Sequence, residues 1–339
     1  MIAEISLLVM LVGLVDQIPT STPQATEKRG RGRPSFYSER LFLKALVIMI
    51  VKHLHTPYEL LCVLEQPTPE MKELRALLTE GDRYPTRRTW ERRLAALPDK
   101  LPAQIGALGC HLVALIQPWA TCGRAVAADS TVLRSRGGVW QWHQKHREKG
   151  EVPHTSIDTE AHWTKSGWHG WVYGWKLHLI TVVANVWIPL AAELTPANHD
   201  DSIEAAKLIV MGKCQLPPDI RYLLGDQHYN TPLLRGVCMF KEWWLVATHR
   251  GRRPKIDVGR EVRRIFHKLR SLAIENFNEH FKSIFDGHAQ VHMRGLVGVR
   301  RFALGAVFVY QLALLYRFEH LGLRGSDLNV GLKPFLKAA

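Results

Sequence analysis

The segment RAVAADSTVL, residues 124–133, decides how this chain folds. Four apolar residues run without interruption into Asp129, and Ser130 and Thr131 follow. A short apolar run bounded by polar residues reads as a buried strand, and the first side chain past the run can emerge into a crevice. Four further runs share this texture: WVYGWKLHLITVV (171–183), VWIPLAAELT (186–195), IRYLLGD (220–226) and WWLVATHR (243–250). Helical patterns separate the later ones, DSIEAAKLIVMGK from Asp201 and TPLLRGVCMFKE from Thr231. Three strands in succession, then helix, strand, helix, strand and helix, predict an α/β domain with a mixed five-stranded sheet flanked by helices.

Asp226 closes the fourth run as Asp129 closes the first. In open α/β sheets ligands gather at the carboxyl ends of strands, so both aspartates point at one site; capping a helix or turn is the alternative role for each. A third carboxylate, Glu275, lies in RSLAIENFNEHFK (270–282). At 100 degrees per residue, Glu275, Asn278, Glu279 and Lys282 share the face opposite Ala273, Phe277, Phe281 and Ile284. Periodicity leaves Glu275 and Glu279 equally placed. Two aspartates and a glutamate that converge can hold divalent ions. Two ions about 3.5–4 Å apart can clamp the attacking and leaving oxygens of a phosphodiester. In a chain with 31 Asp and Glu, a single carboxylate is ordinarily solvated surface, so the trio depends on its context.

Charge supplies part of that context. The 45 Lys and Arg against 31 Asp and Glu leave a net charge of +14, which favours a polyanionic partner, nucleic acid first and an anionic membrane surface as the rival. The 339 residues suggest two domains or one large domain with an extension. Five dispersed cysteines with no C-x-x-C pair argue against a disulfide framework or zinc ribbon, and fit reduced, buried thiols in a cytoplasmic protein. Residues 7–15 lack the basic start and cleavage site of a signal peptide. Residues 302–318 fall short of the roughly 20 apolar residues of a membrane span, and read as a core helix in a protein without a membrane partner.

Residues 17–35, rich in Pro, Thr, Gly and basic side chains, read as a flexible basic arm following an apolar segment, and 36–119 as a helical region. Within it YPTRRTWERRLAAL (84–97) predicts a helix capped by Thr86, with Arg87, Arg88, Arg92 and Arg93 on one side and Trp90, Leu94 and Leu97 on the other. A short basic helix after other small helices suits the reading half of a helix-turn-helix, against a plain solvated face. A basic belt, Arg250, Arg252, Arg253 and Lys255, then Arg260, Arg263, Arg264 and Lys268, precedes Glu275. Seven tryptophans between 140 and 187 alternate with histidines including His143 and His146, a set better suited to packing than to a transition metal. Asp201 is expected to cap the helix that follows it.

The ordered set of segments resembles the DDE transposases of bacterial insertion sequences, the IS-four and IS-five-like group. ADSTVLR at Asp129 and LLGDQHYN at Asp226 are similar to the two aspartate motifs. GWVYGWKLHL (170–179) and LTPANHDDS (194–202) are similar to the strand pair and the segment leading to the next helix. Arg270, Glu275 and Lys282 resemble the terminal signature, which favours Glu275 over Glu279. His267 stands where that signature often has tyrosine. PTRRTWERRL and VRRFALGAVFVYQLALLYR extend the resemblance over roughly residues 36 to 320.

The resemblance implies an RNase H-like catalytic domain over 120–322, a DNA-binding region over 36–119 and a C-terminal tail from 323. Asp129 would bridge two Mg²⁺ ions, with Mn²⁺ able to substitute, and Asp226 and Glu275 would complete one shell each. Arg270 and Lys282, with Arg252 and Arg253 of the belt, would hold phosphates. Double-stranded DNA would be the partner, with a homodimer in the DNA complex and no small-molecule cofactor. The expected activity is transposition, meaning end binding, strand cleavage and strand transfer. A metal-dependent nuclease of the same fold, or a non-catalytic DNA-binding descendant, are the alternatives.

Overall fold

The apolar run before Asp129 forms a strand, β1 (Ala125–Arg134), in the computed structural model, which describes residues 6–19, 36–119, 124–140, 156–166, 170–210, 216–247 and 257–339. β1 pairs antiparallel with β3 (Gly170–Val182) on one side and parallel with β5 (Tyr222–Gly225) on the other; β5 pairs parallel with β6 (Trp244–Ala247). The outer edge of β3 is shared. β2 (His162–Ser166) takes residues 170–174 and β4 (Pro189–Pro196) takes residues 175–181. Among the described residues the sheet therefore has six strands where five were expected. β2 reads HWTKS, too short and too polar to show apolar alternation, and its place exists because β4 stops short of the start of β3.

Register separates the faces of the sheet. Asp129 lies opposite Leu179, and Ser130 opposite His178, so Asp129, Leu177 and Leu179 share one face while Lys176 and His178 share the other. On the Lys176 face lies α7 (Asp201–Val210), packed against α8 (Pro232–Phe240); these helices make the crossovers between parallel strands. On the Asp129 face, α9 (Asp257–Arg270), a π turn (Ser271–Glu275) and α10 (Asn276–Ile284) run consecutively, with the π turn against β1 and β3.

Side-chain caps open several of the helices before the sheet, Thr86 among them as expected. Ser38 accepts from the Leu41 amide at the start of α2 (Glu39–Val51), and Thr56 does the same for α3 (Pro57–Leu64). Thr68 opens α4 (Pro69–Leu77) and Thr86 opens α5 (Arg87–Ala96). The apolar segment at the N-terminus is a core element: α1 (Leu7–Leu14) buries Leu8, Leu11 and Leu14 and packs on α2 and α4.

α11 (Gly295–Glu319) is long and apolar enough to cross a membrane by composition, yet residues 303–317 are all buried within protein. It packs on α1, α2, α5, β4 and α6 (Leu101–Ile116), so one helix backs both the helical layer and the sheet. Gly109 of α6 lies so close to β4 that a Cβ there would meet the Pro189 carbonyl oxygen at 2.5 Å. Gln311 of α11, fully buried, donates to the Ile105 carbonyl at 2.9 Å and the Pro189 carbonyl at 2.7 Å, tying all three elements. The chain closes with α12 (Leu332–Ala338), which packs on α10.

Candidate active site

Asp129 is the fifth residue of β1 and so lies within the strand rather than at its end. What ends beside it is the parallel ladder. Ala125, Val126 and Ala127 pair with Tyr222, Leu223 and Leu224, and continuing that register sets Asp129 level with Asp226 just past the last residue of β5. Neighbouring strands lie about 4.7–4.9 Å apart, so the two aspartates sit side by side at the carboxyl end of the ladder. Asp226 also accepts the His228 amide at 2.7 Å and so caps a short turn, Gln227–Tyr229, as well. Gly225 precedes it without a side chain because a Cβ would meet that of Tyr229 at 2.6 Å.

The third carboxylate arrives from above on the helix. In a regular α-helix residues 270 and 275 would point about 140° apart. The π turn widens the winding there to i→i+5, which aligns them. Glu275 accepts a short ion-paired hydrogen bond from Arg270 and a second bond from the Ser271 hydroxyl at 2.6 Å. Arg270 in turn lies 3.7 Å from Asp129 Oδ2, so a nearly buried guanidinium bridges the helix carboxylate to the strand carboxylate. One turn on, Asn278 donates to Asp129 Oδ2 at 3.2 Å. Glu279 points away from this group: its side chain is 73% exposed and pairs with His288 at 3.1 Å.

Electrostatics tie the group together. Burial pushes the Asp129 carboxyl up to about 7; Arg270 and the Ser130 amide oppose the rise, while Asp226 and Glu275 add to it. Tyr229 is buried beside them, and burial first, then Asp129, Asp201 and Asp226, holds its hydroxyl well above the ordinary value. Burial lowers the Lys282 ammonium, against the pull of Glu279 and Asp129. All three carboxylates are hard oxygen donors of the kind Mg²⁺ and Mn²⁺ take, and they fit such an ion in kind. Among the described residues, however, no three acidic, histidine or cysteine side chains are drawn close enough to form a ready metal group. Arg270 supplies the positive charge between Asp129 and Glu275 instead.

The other expected contacts are distributed around this core. On α5, Trp90 and Leu94 are buried as the amphipathic pattern requires, and Arg88 and Arg92 are exposed. Arg87 pairs with Glu91 at 2.8 Å and lies over Tyr58, while Arg93 lies over Phe42. Arg260, Arg264, His267 and Lys268 share one open face of α9. Arg252 and Arg253 lie outside the described residues, as do Arg250, Lys255, His143 and His146. The helix cap expected of Asp201 is made by Asp200, which accepts from the Ser202 and Ile203 amides at 2.9 and 3.0 Å. Asp201 pairs with Lys176 at 3.0 Å. Cys62 is exposed and Cys110 half-buried, so of the described cysteines only Cys238 is the buried apolar thiol expected.

Three residues of the site went unassigned in sequence: Ser271, Asn278 and Tyr229. The helical wheel did put Asn278 between Glu275 and Lys282, and its neutral side chain gave no reason to single it out.

No protein-family model and no curated protein matches the chain. Among solved structures it is similar to the Mos1 transposase paired-end complex with left transposon end, at 13% identity and a TM-score of 0.23 over 85% of this chain and 81% of that one. A likeness that loose carries no argument for fold or chemistry.

Proposed function

We propose that the chain is a DDE-type transposase: an RNase H-like enzyme that binds the ends of a mobile DNA element, cleaves a strand and joins the freed 3′-hydroxyl to target DNA. The observation that carries this reading is the parallel ladder whose register, continued two residues past its last pair, sets Asp129 level with Asp226, with Arg270, Glu275 and Lys282 set over it from the helical segment above. The sheet supports it too. Three antiparallel strands in the order of the chain, followed by two parallel strands on the far side of the first, are the order this reading calls for, with β2 as an added edge.

In this reading Asp129, Asp226 and Glu275 hold two Mg²⁺ ions. When bound, such ions lower the cost of charge on the attacking and leaving oxygens of the phosphodiester. The chain's own side chains do the remaining work. Arg270 is a planar fork suited to a phosphate once it leaves the carboxylates, and Lys282 is a point charge on the same helix face. The open basic face of α9 carrying Arg260, Arg264 and Lys268 suits the continuing backbone of the strand, and the exposed arginines of α5 suit duplex recognition. A homodimer would bring two ends together.

A second reading has one observation in its favour. Glu275 is already engaged by Arg270 and Ser271, as it would be in a DNA-binding protein that never completes a metal site. A duplex carrying the inverted repeats that flank the coding sequence separates the readings. Mg²⁺-dependent nicking that Asp226→Asn abolishes, with end binding retained, is the expected result. Nicking without joining of precut ends identifies a nuclease. Binding with no nicking in either protein overturns the enzymatic reading.

A further inference from the structure

Asn278 is the buried centre of the polar face of α10. It is 9% exposed, and its Nδ2 donates to Asp129 Oδ2 at 3.2 Å. Its Oδ1 is buried with no protein partner among the described residues. The opposite amide orientation would turn Oδ1 against the carboxylate, so the donor end has to face Asp129.

Asn278 differs from Arg270, the other group on the same Asp129 oxygen. Arg270 is a cation and competes with any metal ion for that carboxylate. Asn278 is neutral and keeps Asp129 oriented whether or not a cation is beside it. We propose that Asn278 is a positioning residue of the carboxylate site: it fixes the Asp129 side chain through Oδ2 in the orientation a divalent ion would use, a role that rests on the metal-dependent reading above. Groups that orient a metal ligand from behind typically change metal affinity 10–100-fold when removed.

The test measures Mn²⁺ binding by the full chain without DNA, from the free-ion signal in electron paramagnetic resonance, so that no turnover is involved. Asn278→Ala is expected to bind Mn²⁺ about 10–100-fold more weakly than the parent, and Asn278→Gln, which keeps donor and acceptor, to recover most of the loss. Asn278→Leu keeps the buried volume should the smaller side chain unfold the protein, and is expected to match Asn278→Ala. If a folded Asn278→Ala or Asn278→Leu binds as tightly as the parent, the proposal is overturned alone. If parent and Asp129→Asn both fail to bind, the metal-dependent reading falls and this role falls with it.

Discussion

The two halves of the carboxylate site are held by different means. Asp129 and Asp226 take their positions from a parallel ladder, whose register is written in backbone hydrogen bonds. Glu275 takes its position from one residue of extra helical winding and from two side-chain donors, and its side chain is 42% exposed against 21% for Asp129. The strand half can hardly move without breaking the sheet, whereas the helix half can be re-aimed by exchanging side-chain partners. On the proposed reading, a site that admits DNA needs one of each.

The largest expected effect lies in the strand half. Asp226→Asn should lower Mg²⁺-dependent cleavage at least a thousandfold, about 4 kcal/mol, in a single-turnover assay, while end binding stays within about twofold. Cleavage above a tenth of the parent's would remove Asp226 from the site.

The sheet beneath the site should also respond to acid. His178, on the opposite face of β3, has Nε2 2.8 Å from Thr195 Oγ1, and burial pushes its imidazole down from 6.5 to about 4. Stability from the neutral imidazole is complete above pH 6.5 and is lost as pH falls through about 4. The contribution is up to about 3 kcal/mol, read by urea unfolding as the difference between the parent and His178→Gln at pH 7 and pH 4. Asp129 works in the other direction: with its carboxyl raised from 3.8 to about 7, its contribution is complete below pH 3.8 and is withdrawn as pH rises through 7. Identical pH profiles for parent and His178→Gln would sink the histidine assignment.

The helix half can be tested by its winding. Deleting Leu272, the exposed residue of the π turn, lets ordinary α winding restore an i,i+4 alignment of Arg270 with Glu275, so cleavage should stay within about tenfold. Inserting one alanine after Leu272 turns the two apart and should cost about a hundredfold, near 2.7 kcal/mol. Equal losses from both changes would mean that the π turn serves the packing of α9 rather than the aim of Glu275. The smallest effect is expected at Glu279. Glu279→Gln should change cleavage less than about twofold, as an exposed pair with His288 contributes little.

The strand half was legible because apolar runs and strand period specify it directly: RAVAAD and RYLLGD are strands with an aspartate at the close of each apolar run. The helix half was not. An α-helical wheel cannot see a π turn, so it hides the alignment of Arg270 with Glu275, and both the choice of Glu275 over Glu279 and the bond from Asn278 to Asp129 depend on how α10 seats against β1. β2 was invisible because a short polar strand is made by its neighbour's free edge. Asp200 takes the cap expected of Asp201 because either could cap α7, and Lys176 on the facing strand β3 claims the second.

The shared backing helix has a consequence for how the chain is made. The apolar sides of α1, α2, α5 and α6 all rest on α11, which begins at Gly295. During synthesis at roughly 5–20 residues per second, the first helices wait about 10–40 s between the end of α6 and the completion of the helix that covers them. Leu46 and Ile50, which approach Gly305 in the finished protein, stay uncovered by it through that interval. The chain's most aggregation-prone moment thus falls late in translation, and a ribosome pausing inside the sheet would prolong it.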